Sequence, residues 1–308
     1  MKFTSNLINK HNTILLDGAT GTELEKNGVL MDRVCWSGLA GISHPKVLQS
    51  IHEQYILAGS KVITTNTFAS ARHNIESTNR SLKVEKINLQ TINCALEARN
   101  KFKNLDIKIA GSMSLSFVNE RYEYPETKSI GNFSHEELLE NYREQTKFFI
   151  EKDLDLILLE MVSHPKTAKP MIQAALESGL PIWLGLCAGP KNENGQVLAY
   201  EAKNILLADV LKLITPEIES VIIMHSETEY IDDCLSEIQS QYSGFLGAYP
   251  HKGFFKKPNW FYDDKYTPEM FYNDMYNWIN VYNLKIIGGC CGIGPKHIQL
   301  LHNKFIAS

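Results

Sequence analysis

Eight short apolar runs recur along the chain at intervals of roughly 25 to 50 residues. Each run is continuously apolar and does not alternate between apolar and polar positions. This pattern is typical of strands that are buried on both faces of a parallel sheet. The predicted strands are residues 14–17, 61–65, 107–112, 154–160, 181–186, 220–224, 244–249 and 285–288.

Segments with apolar residues at helical spacing lie between these runs. Two of them begin with a clear start signal, the Ser134 cap followed by acidic residues and the Thr267-Pro268 pair. The predicted helices are residues 45–58, 134–151, 165–178, 202–214 and 268–282.

Alternating strands and helices predict a parallel α/β sheet with right-handed crossovers, and eight strands are the number that closes a (β/α)8 barrel of the TIM type. The competing architecture is a doubly wound open sheet. It is disfavoured because residues 17–23 (DGATGTE), after the first predicted strand, lack the glycine spacing of a dinucleotide fingerprint. We therefore expect a single (β/α)8 barrel domain over residues 1–308.

The composition argues against several classes of protein. With 31 Lys and Arg against 35 Asp and Glu, the net charge is −4, and no basic block offers the surface of a nucleic-acid binder. No apolar run approaches the ~20 residues of a membrane-spanning helix, and the first 13 residues contain no apolar signal-peptide region. Six cysteines in a chain of this length do not make a disulfide framework. We expect a cytoplasmic protein without nucleic-acid or membrane partners.

Polar residues stand where nearly every predicted strand ends. The carboxyl ends of all strands in a (β/α) barrel surround one mouth, so these side chains are expected to meet there. One polar strand end carries little information, but a polar residue at almost every end indicates a functional site. These residues are Asp17, Thr64, Thr65, Asn66, Ser112, Ser114, Glu160, Cys187, His225, Tyr249, Cys290 and Cys291.

The glycine-flanked pair Cys290-Cys291 is the main candidate for a metal site. Consecutive residues of a regular strand point to opposite faces, so both sulfurs reach one ion only if the backbone turns, and glycines allow such a turn. Zinc binds thiolates together with nitrogen or further sulfur, and a catalytic site keeps its fourth position open. The alternatives are two inert buried cysteines or a vicinal disulfide, and the disulfide is disfavoured in a reducing compartment.

Two residues compete for the role of third ligand. His225 ends the sixth predicted strand, where a histidine alone is more often a hydrogen-bonded structural residue. The cysteine pair expected at the same mouth makes ligation equally reasonable. Cys187, after the fifth strand, is more simply interpreted as a small buried filler. We expect Cys35, Cys94 and Cys234 to be packing residues.

Asp17 and Glu160 are the carboxylates at the predicted mouth. They could act as general acid and base, or they could bind the ammonium group of an amino-acid substrate. Asp17 has a structural alternative, the capping of the turn at residues 18–21. Glu160 follows a fully apolar run, where a carboxylate requires a partner.

Taken together, these residues resemble the homocysteine S-methyltransferase family of zinc-dependent (β/α)-barrel enzymes. The similar stretches follow the family's order from about residue 14 to about residue 305, at 16–24, 64–68, 111–112, 159–161, 185–187, 249–250 and 288–292. The resemblance implies methyl transfer to the thiol of homocysteine, giving methionine, with no catalytic residue beyond the zinc-activated substrate thiol. It implies small-molecule substrates held by Asp17, Thr65, Asn66, Ser112, Glu160 and Tyr249.

By the same resemblance, Cys290 and Cys291 would be two of three Zn²⁺ ligands. The third in the family is a cysteine at the end of the sixth strand, usually preceded by asparagine, whereas Met224 and His225 stand at these positions here. Imidazole is a competent zinc ligand, so a site of His225, Cys290 and Cys291 is chemically reasonable. Residues 249–253 (YPHKG) also depart from the Tyr-Pro-Asn-Ser-Gly that is common in the family.

The family's methyl donors are S-methylmethionine or S-adenosylmethionine, betaine, and methyl-folate in larger enzymes. The chain has no room for cobalamin or folate modules and lacks the long extension of the betaine enzymes, so a sulfonium donor is expected, with Tyr249 as one aromatic contact. Two other functions stay open. One is a zinc hydrolase with Glu160 as base, and the other is a barrel that has lost zinc and binds an amino acid or a protein partner.

Overall fold

All eight predicted apolar runs form strands of one parallel sheet. The computed structural model describes residues 2–76, 78, 81–114, 133–200, 202–256, 258–263 and 265–305. The strands pair in the order β1-β8-β7-β6-β5-β4-β3-β2, and these pairings are parallel. Their bounds are β1 (Ile14–Leu15), β2 (Val62–Thr64), β3 (Lys108–Ser114), β4 (Leu156–Val162), β5 (Ile182–Leu186), β6 (Ile218–Glu227), β7 (Phe245–His251) and β8 (Ile286–Ile287).

The sheet closes on itself between β1 and β2. The Lys61 backbone N–H donates to the Leu15 carbonyl oxygen over 2.7 Å, and Leu16 forms a parallel bridge with Val62. The predicted (β/α)8 barrel is therefore confirmed, and the open doubly wound sheet is wrong. Closure also places the carboxyl ends of the eight strands around one mouth.

Helices surround the barrel, and four of the five predicted ones are confirmed to within one residue at each end. Ser134 caps the longest predicted helix as expected, since its hydroxyl accepts from the Glu137 N–H in a complete capping box. Within the described ranges, no helix is both long and apolar enough to cross a lipid bilayer. The helices are α1 (Phe3–His11), α2 (Thr20–Lys26), α3 (Ala40–Ser43), α4 (Pro45–Leu57), α5 (Arg72–Glu76), α6 (Val84–Asn100), α7 (His135–Glu151), α8 (Pro165–Ser178), α9 (Leu207–Leu211), α10 (Ile231–Gln241), α11 (Pro268–Tyr282) and α12 (Pro295–Phe305).

The predicted helix at residues 202–214 is wrong in its first half. Residues Ala202–Leu206 form a strand in a three-stranded antiparallel sheet with Ala188–Lys191 and Val197–Ala199, and α9 follows it. The apolar residues 205–207 are contiguous, so their pattern is compatible with either element, and pairing with the neighbouring strand decides the outcome. A hairpin of Phe254–Lys256 and Asn259–Phe261 is a second element that the pattern does not predict.

Helix α1 covers the amino-terminal end of the barrel. The Trp183 indole N–H donates to the Thr4 hydroxyl over 2.7 Å, and the Thr4 backbone N–H donates to the Glu219 carboxylate over 2.7 Å. Trp183 and Glu219 lie near the starts of β5 and β6. With this end covered, the opposite, carboxyl-terminal mouth is the place for a site.

Gly185 in β5 is packed too closely to accept a side chain. A Cβ at this position would lie 1.9 Å from the Met224 sulfur and 2.7 Å from the Leu159 carbonyl oxygen. We expect Gly185→Ala to lower the free energy of unfolding by about 1–3 kcal/mol, the usual cost of overpacking a core. Gly189→Ala is the matched control, since no atom lies within 4 Å of its Cβ position. Urea unfolding of both variants tests this expectation, and equal midpoints would contradict it.

Candidate active site

A cavity opens at the carboxyl-terminal mouth of the barrel, where the sequence predicts the site. Its lining residues are Gly18, Ala19, Thr20, Gly21, Trp36, Ser37, Thr64, Thr65, Asn66, Phe68, Glu160, His225, Tyr249, Cys290 and Cys291. Two further predicted residues, Asp17 and Ser112, are fully buried beside it and bonded to its lining. The structure thus brings the predicted substrate-binding and metal-binding residues into one place.

A tight turn after β8 directs the two cysteine sulfurs to the same side of the chain. The Cys290 N–H donates to the Pro250 carbonyl oxygen over 2.8 Å, and the Ile293 N–H donates to the Cys290 carbonyl oxygen over 2.9 Å. Gly292 has a left-handed φ of 86°, and a Cβ there would lie 2.1 Å from the Lys252 carbonyl oxygen, so the turn requires glycine. The two Sγ atoms lie 3.8 Å apart.

His225 is brought to the cysteines by an irregularity in β6. Its φ is left-handed, at 49°, and the register between β6 and β7 shifts between Tyr249 and His251. Such a local break in pairing re-aims a side chain at a barrel rim. As a result, the His225 Nδ1 and Nε2 atoms lie 3.2 Å and 3.6 Å from the Cys290 Sγ.

These three side chains fit a tetrahedral zinc site. One ligand atom from each of His225, Cys290 and Cys291 lies within 4.8 Å of the others. With Zn–S bonds of ~2.3 Å, sulfur ligands of a tetrahedral site are about 3.8 Å apart. The observed Sγ–Sγ distance is 3.8 Å. Three protein ligands leave one position for a substrate atom. Across the described ranges, this is the group with metal-ligand spacing, and Cys187 is not part of it.

The Cys290 thiol favours its protonated form unless a cation compensates the charge of the thiolate. Burial raises the pKa of Cys290 well above its usual range, and the adjacent Cys291 sulfur raises it further. All six cysteines are free thiols. A bound metal ion would supply the missing positive charge and release protons on binding. The pair is therefore suited to holding a metal and poorly suited to acting as a free nucleophile.

Glu160 lies on β4 and has two side-chain partners, one on β3 and one on β6. The Ser112 hydroxyl donates to Glu160 Oε1, and Glu160 Oε2 lies 3.2 Å from His225 Nε2. The residue is buried, with 7% of its surface exposed. The sequence predicts that this buried carboxylate needs a partner, and the structure gives it two: Ser112 and the candidate metal ligand His225.

Asp17 is fully buried at the seam of the barrel. It accepts from the Thr64 N–H over 2.6 Å, from the Thr64 hydroxyl over 3.1 Å and from the Tyr249 hydroxyl over 3.2 Å. Burial raises the pKa of Asp17 to about 7, and the nearby charge of Glu160 adds to the rise, while the three hydrogen bonds oppose it. Asp17 thus changes its charge near neutral pH.

The other predicted polar residues are engaged with the protein itself. The Thr65 hydroxyl accepts from the Ser112 N–H over 3.1 Å and bonds to the Thr67 hydroxyl over 2.8 Å. The Asn66 amide donates to the Ser37 carbonyl oxygen over 2.8 Å. These bonds fix the ends of β2 and β3 around the cavity.

Two aromatic residues of the cavity wall have no strand-end signal in the sequence. Trp36 lies in the loop before α3, and Phe68 follows β2 by four residues. Their rings meet edge to face with centroids 6.2 Å apart, and Phe68 stacks on His225 with centroids 5.8 Å apart. The only sequence signal for Phe68 is its place in the stretch 64–68, and Trp36 has none.

A larger cavity lies outside the barrel, near the starts of α7 and α8. Its lining residues include Phe133, His135, His164, Lys166 and Asp209. It contains neither the clustered thiols nor the buried carboxylates, so the chemistry is concentrated at the smaller cavity of the barrel mouth.

A family profile described as homocysteine S-methyltransferase matches residues 14–305 of the chain. The chain belongs to the homocysteine S-methyltransferase family. The match runs from β1 to α12, so the resemblance carried by the motifs is confirmed, and with it the class of enzyme, a methyltransferase.

Relatives of this homocysteine S-methyltransferase family member cover most of its length. Betaine–homocysteine S-methyltransferase 1 of Danio rerio is 25% identical over an alignment of 317 positions, which covers 97% of this chain and 74% of that protein. The Bos taurus protein of the same name is 24% identical, over 96% of this chain and 72% of its own. The metallated form of the homocysteine methyltransferase MmuM from Escherichia coli matches with a TM-score of 0.73 at 18% identity, over 97% of this chain and 98% of that one. At this identity the structural likeness shows the fold alone.

The raised pKa of Asp17 predicts a pH-dependent stability. Between its ordinary pKa of 3.8 and about 7, the folded state holds a proton that the unfolded state has lost. Stability should therefore fall as pH rises through this window, by at most about 1.4 kcal/mol per pH unit, and level off above it. Asp17→Asn removes the titrating group. Urea unfolding of the metal-free protein and the variant from pH 4 to pH 8 should show a difference that changes within the window; parallel profiles would contradict the shifted pKa.

Proposed function

We propose that this protein transfers a methyl group from a sulfonium donor, S-methylmethionine or S-adenosylmethionine, to the thiol of homocysteine, and that it requires Zn²⁺. The observation that carries the proposal is the group of His225, Cys290 and Cys291 at the mouth of a barrel of this family. When bound, Zn²⁺ would keep the acceptor thiol deprotonated near neutral pH, although a free thiol titrates at ~8.5. The chain's own residues then bind and orient the two substrates.

The acceptor amino acid is held through its ammonium group. Glu160 lines the cavity, and each of its carboxylate oxygens keeps a lone pair beyond its bond to Ser112 or His225. Asp17 lies behind Tyr249 and adds negative charge when it is ionised. Thr65, Asn66, Ser112 and Tyr249 serve this site by fixing the carboxylates and the strand ends that shape the pocket.

The methyl donor is a cation, and the wall formed by Trp36 and Phe68 suits it. The faces of aromatic rings attract onium groups. Tyr249 is less available than the sequence suggests, because its hydroxyl is bonded to Asp17 and to the Gly18 carbonyl oxygen over 3.1 Å. A sulfonium is preferred to betaine because a neutral thioether leaves more readily than an amine. It also departs without a general acid, and so no catalytic residue is required.

The zinc hydrolase loses part of its support. The departure from the family pattern at His251 leaves room for this alternative, but the His251 ring packs edge-on against Tyr200 and Trp260, with centroids 6.0 Å and 5.3 Å away, and it is not part of the ligand group. Burial lowers the pKa of His251 to about 3, so it stays neutral. A binding protein without metal is the remaining alternative, and zinc analysis separates it from the enzyme.

The organisation proposed for the protein is correspondingly simple. Residues 1–308 form a single homocysteine-binding barrel domain with small-molecule substrates. The six free cysteines fit a reducing compartment such as the cytoplasm.

The decisive experiment is a methyl-transfer assay with the zinc-loaded protein. We expect methionine from homocysteine with S-methylmethionine or S-adenosylmethionine, and less or none with betaine. Cys290→Ser and Cys291→Ser should each lose tight zinc binding and activity while keeping the far-UV CD spectrum, because both residues lie after β8, outside the strands. Cys94→Ser in α6 is the control and should keep about one zinc per chain. Stoichiometric zinc in either site variant would refute the ligand assignment.

The charge of the third zinc ligand should determine both how tightly homocysteine binds and how reactive its sulfur is. Two thiolates and a neutral imidazole leave a zinc site uncharged, whereas three thiolates make it −1, so His225→Cys should bind homocysteine more weakly. The acceptor sulfur should then be less acidified and more nucleophilic. We expect His225→Cys to raise the single-turnover rate at saturating substrate, and His225→Ala to lose zinc affinity. Zinc as tight in His225→Ala as in the parent protein would mean that His225 is not a ligand.

A further inference from the structure

We propose that Glu160 is a positioning residue for the metal ligand His225: its carboxylate holds the Nε2 proton and thereby directs Nδ1 to the metal. This inference rests on the metal site of the proposed function and deepens it. It concerns this chain's own histidine, since a cysteine at the same position has no ring nitrogen to orient.

The distances from the imidazole to the Cys290 sulfur do not decide which ring nitrogen binds the metal, so the contact with Glu160 decides it. Both ring nitrogens lie near the Cys290 sulfur, Nδ1 at 3.2 Å and Nε2 at 3.6 Å. A neutral imidazole carries one proton, and the nitrogen without it is the one that binds a metal. Glu160 Oε2, 3.2 Å from Nε2, is an acceptor for that proton. With the proton held at Nε2, the lone pair is at Nδ1, the nitrogen closer to the cysteine.

Glu160 is itself fixed by a buried chain of hydrogen bonds. The Ser112 hydroxyl donates to Glu160 Oε1, and the Ser112 N–H donates to the Thr65 hydroxyl over 3.1 Å. The Thr67 hydroxyl donates to the Ser112 carbonyl oxygen over 2.7 Å, and Thr65, Thr67 and Ser112 are each at most 2% exposed. Polar residues after β2 and on β3 thus hold a carboxylate on β4, which in turn holds a ligand on β6.

The other contacts of His225 do not supply this control. Phe68 stacks on the ring at an interplanar angle of 20°, which restrains the plane of the imidazole but not the position of its proton. The backbone of His225 is left-handed, with φ at 49°, a conformation that is costly for a residue with a side chain. An oriented ring at such a position needs an anchor, and partners that hold metal-binding imidazoles usually change metal affinity by 10–100-fold when removed.

The test is a double-mutant cycle on zinc affinity, measured by competition with a chromogenic chelator. We expect Glu160→Ala to weaken zinc binding by about 10–100-fold in the parent protein. Glu160→Gln should recover most of this loss, because its amide oxygen still accepts from Nε2–H. In the His225→Cys background, Glu160→Ala should change zinc affinity by less than about threefold, because a thiolate offers no proton to hold.

Visible absorption of the Co²⁺-loaded proteins is a second measurement. Glu160→Ala should shift the d–d bands in the parent protein and leave them unchanged in His225→Cys. Glu219→Ala is the matched control: it removes a carboxylate acceptor from the same strand, β6, at the opposite end of the barrel. It should leave both zinc affinity and the Co²⁺ spectrum unchanged.

Equal losses of zinc affinity in the two backgrounds would overturn the inference, because Glu160 would then act through net charge or folding. No loss in the parent protein would also overturn it. Failure of the proposed function looks different. Zinc binding without methionine formation would refute methyl transfer and leave the positioning role intact, whereas stoichiometric zinc in both Cys290→Ser and Cys291→Ser would remove the metal site on which the inference rests.

Discussion

The site depends on how the barrel closes between its first two strands. The backbone hydrogen bond from Lys61 to Leu15 joins β1 to β2. Beyond it, the Thr64 N–H donates to the Asp17 carboxylate over 2.6 Å, so a side chain connects the two strands where backbone pairing ends. Tyr249 on β7 is bonded to the same carboxylate. Asp17 therefore links the ends of β1, β2 and β7 at the mouth. The positions of these strand ends determine the shape of the adjacent pocket.

Much of the architecture is predictable from the chain because parallel strands buried on both faces are continuously apolar. Eight such runs specify the barrel, and the polar residue after each run specifies the mouth. The paired cysteines and His225 are found in this way, since they follow the predicted runs 285–288 and 220–224. The helix predicted at residues 202–214 is wrong in its first half because three contiguous apolar residues are compatible with either a strand or a helix. Which of the two forms depends on pairing with Val197–Ala199.

The roles of individual side chains are harder to predict, because they depend on contacts between distant segments. Thr65, Asn66 and Ser112 stand at strand ends, but their partners are other protein groups, which no local pattern shows. Trp36 lies in a loop, and its indole ring packs directly on Gly21 at the cavity wall. A Cβ at Gly21 would lie 2.4 Å from this ring, so the contact depends on glycine. Two departures from the family pattern have contacts of their own: Met224 fills the space left by Gly185, and Lys252 is bonded to Glu229 and Thr228.

The separation of the metal-site residues along the chain has a consequence for biosynthesis. His225 and Cys290 are 65 positions apart, and the bond between Asp17 and Tyr249 spans 232. Such long-range contacts form late, because large loops must close before the contacts offset the loss of chain entropy. A nascent chain that ends just before Cys290 already contains all eight strands of the barrel but neither of the two cysteine sulfurs. An ion that binds His225, Cys290 and Cys291 together could therefore be taken up only after residue 291 has been synthesised.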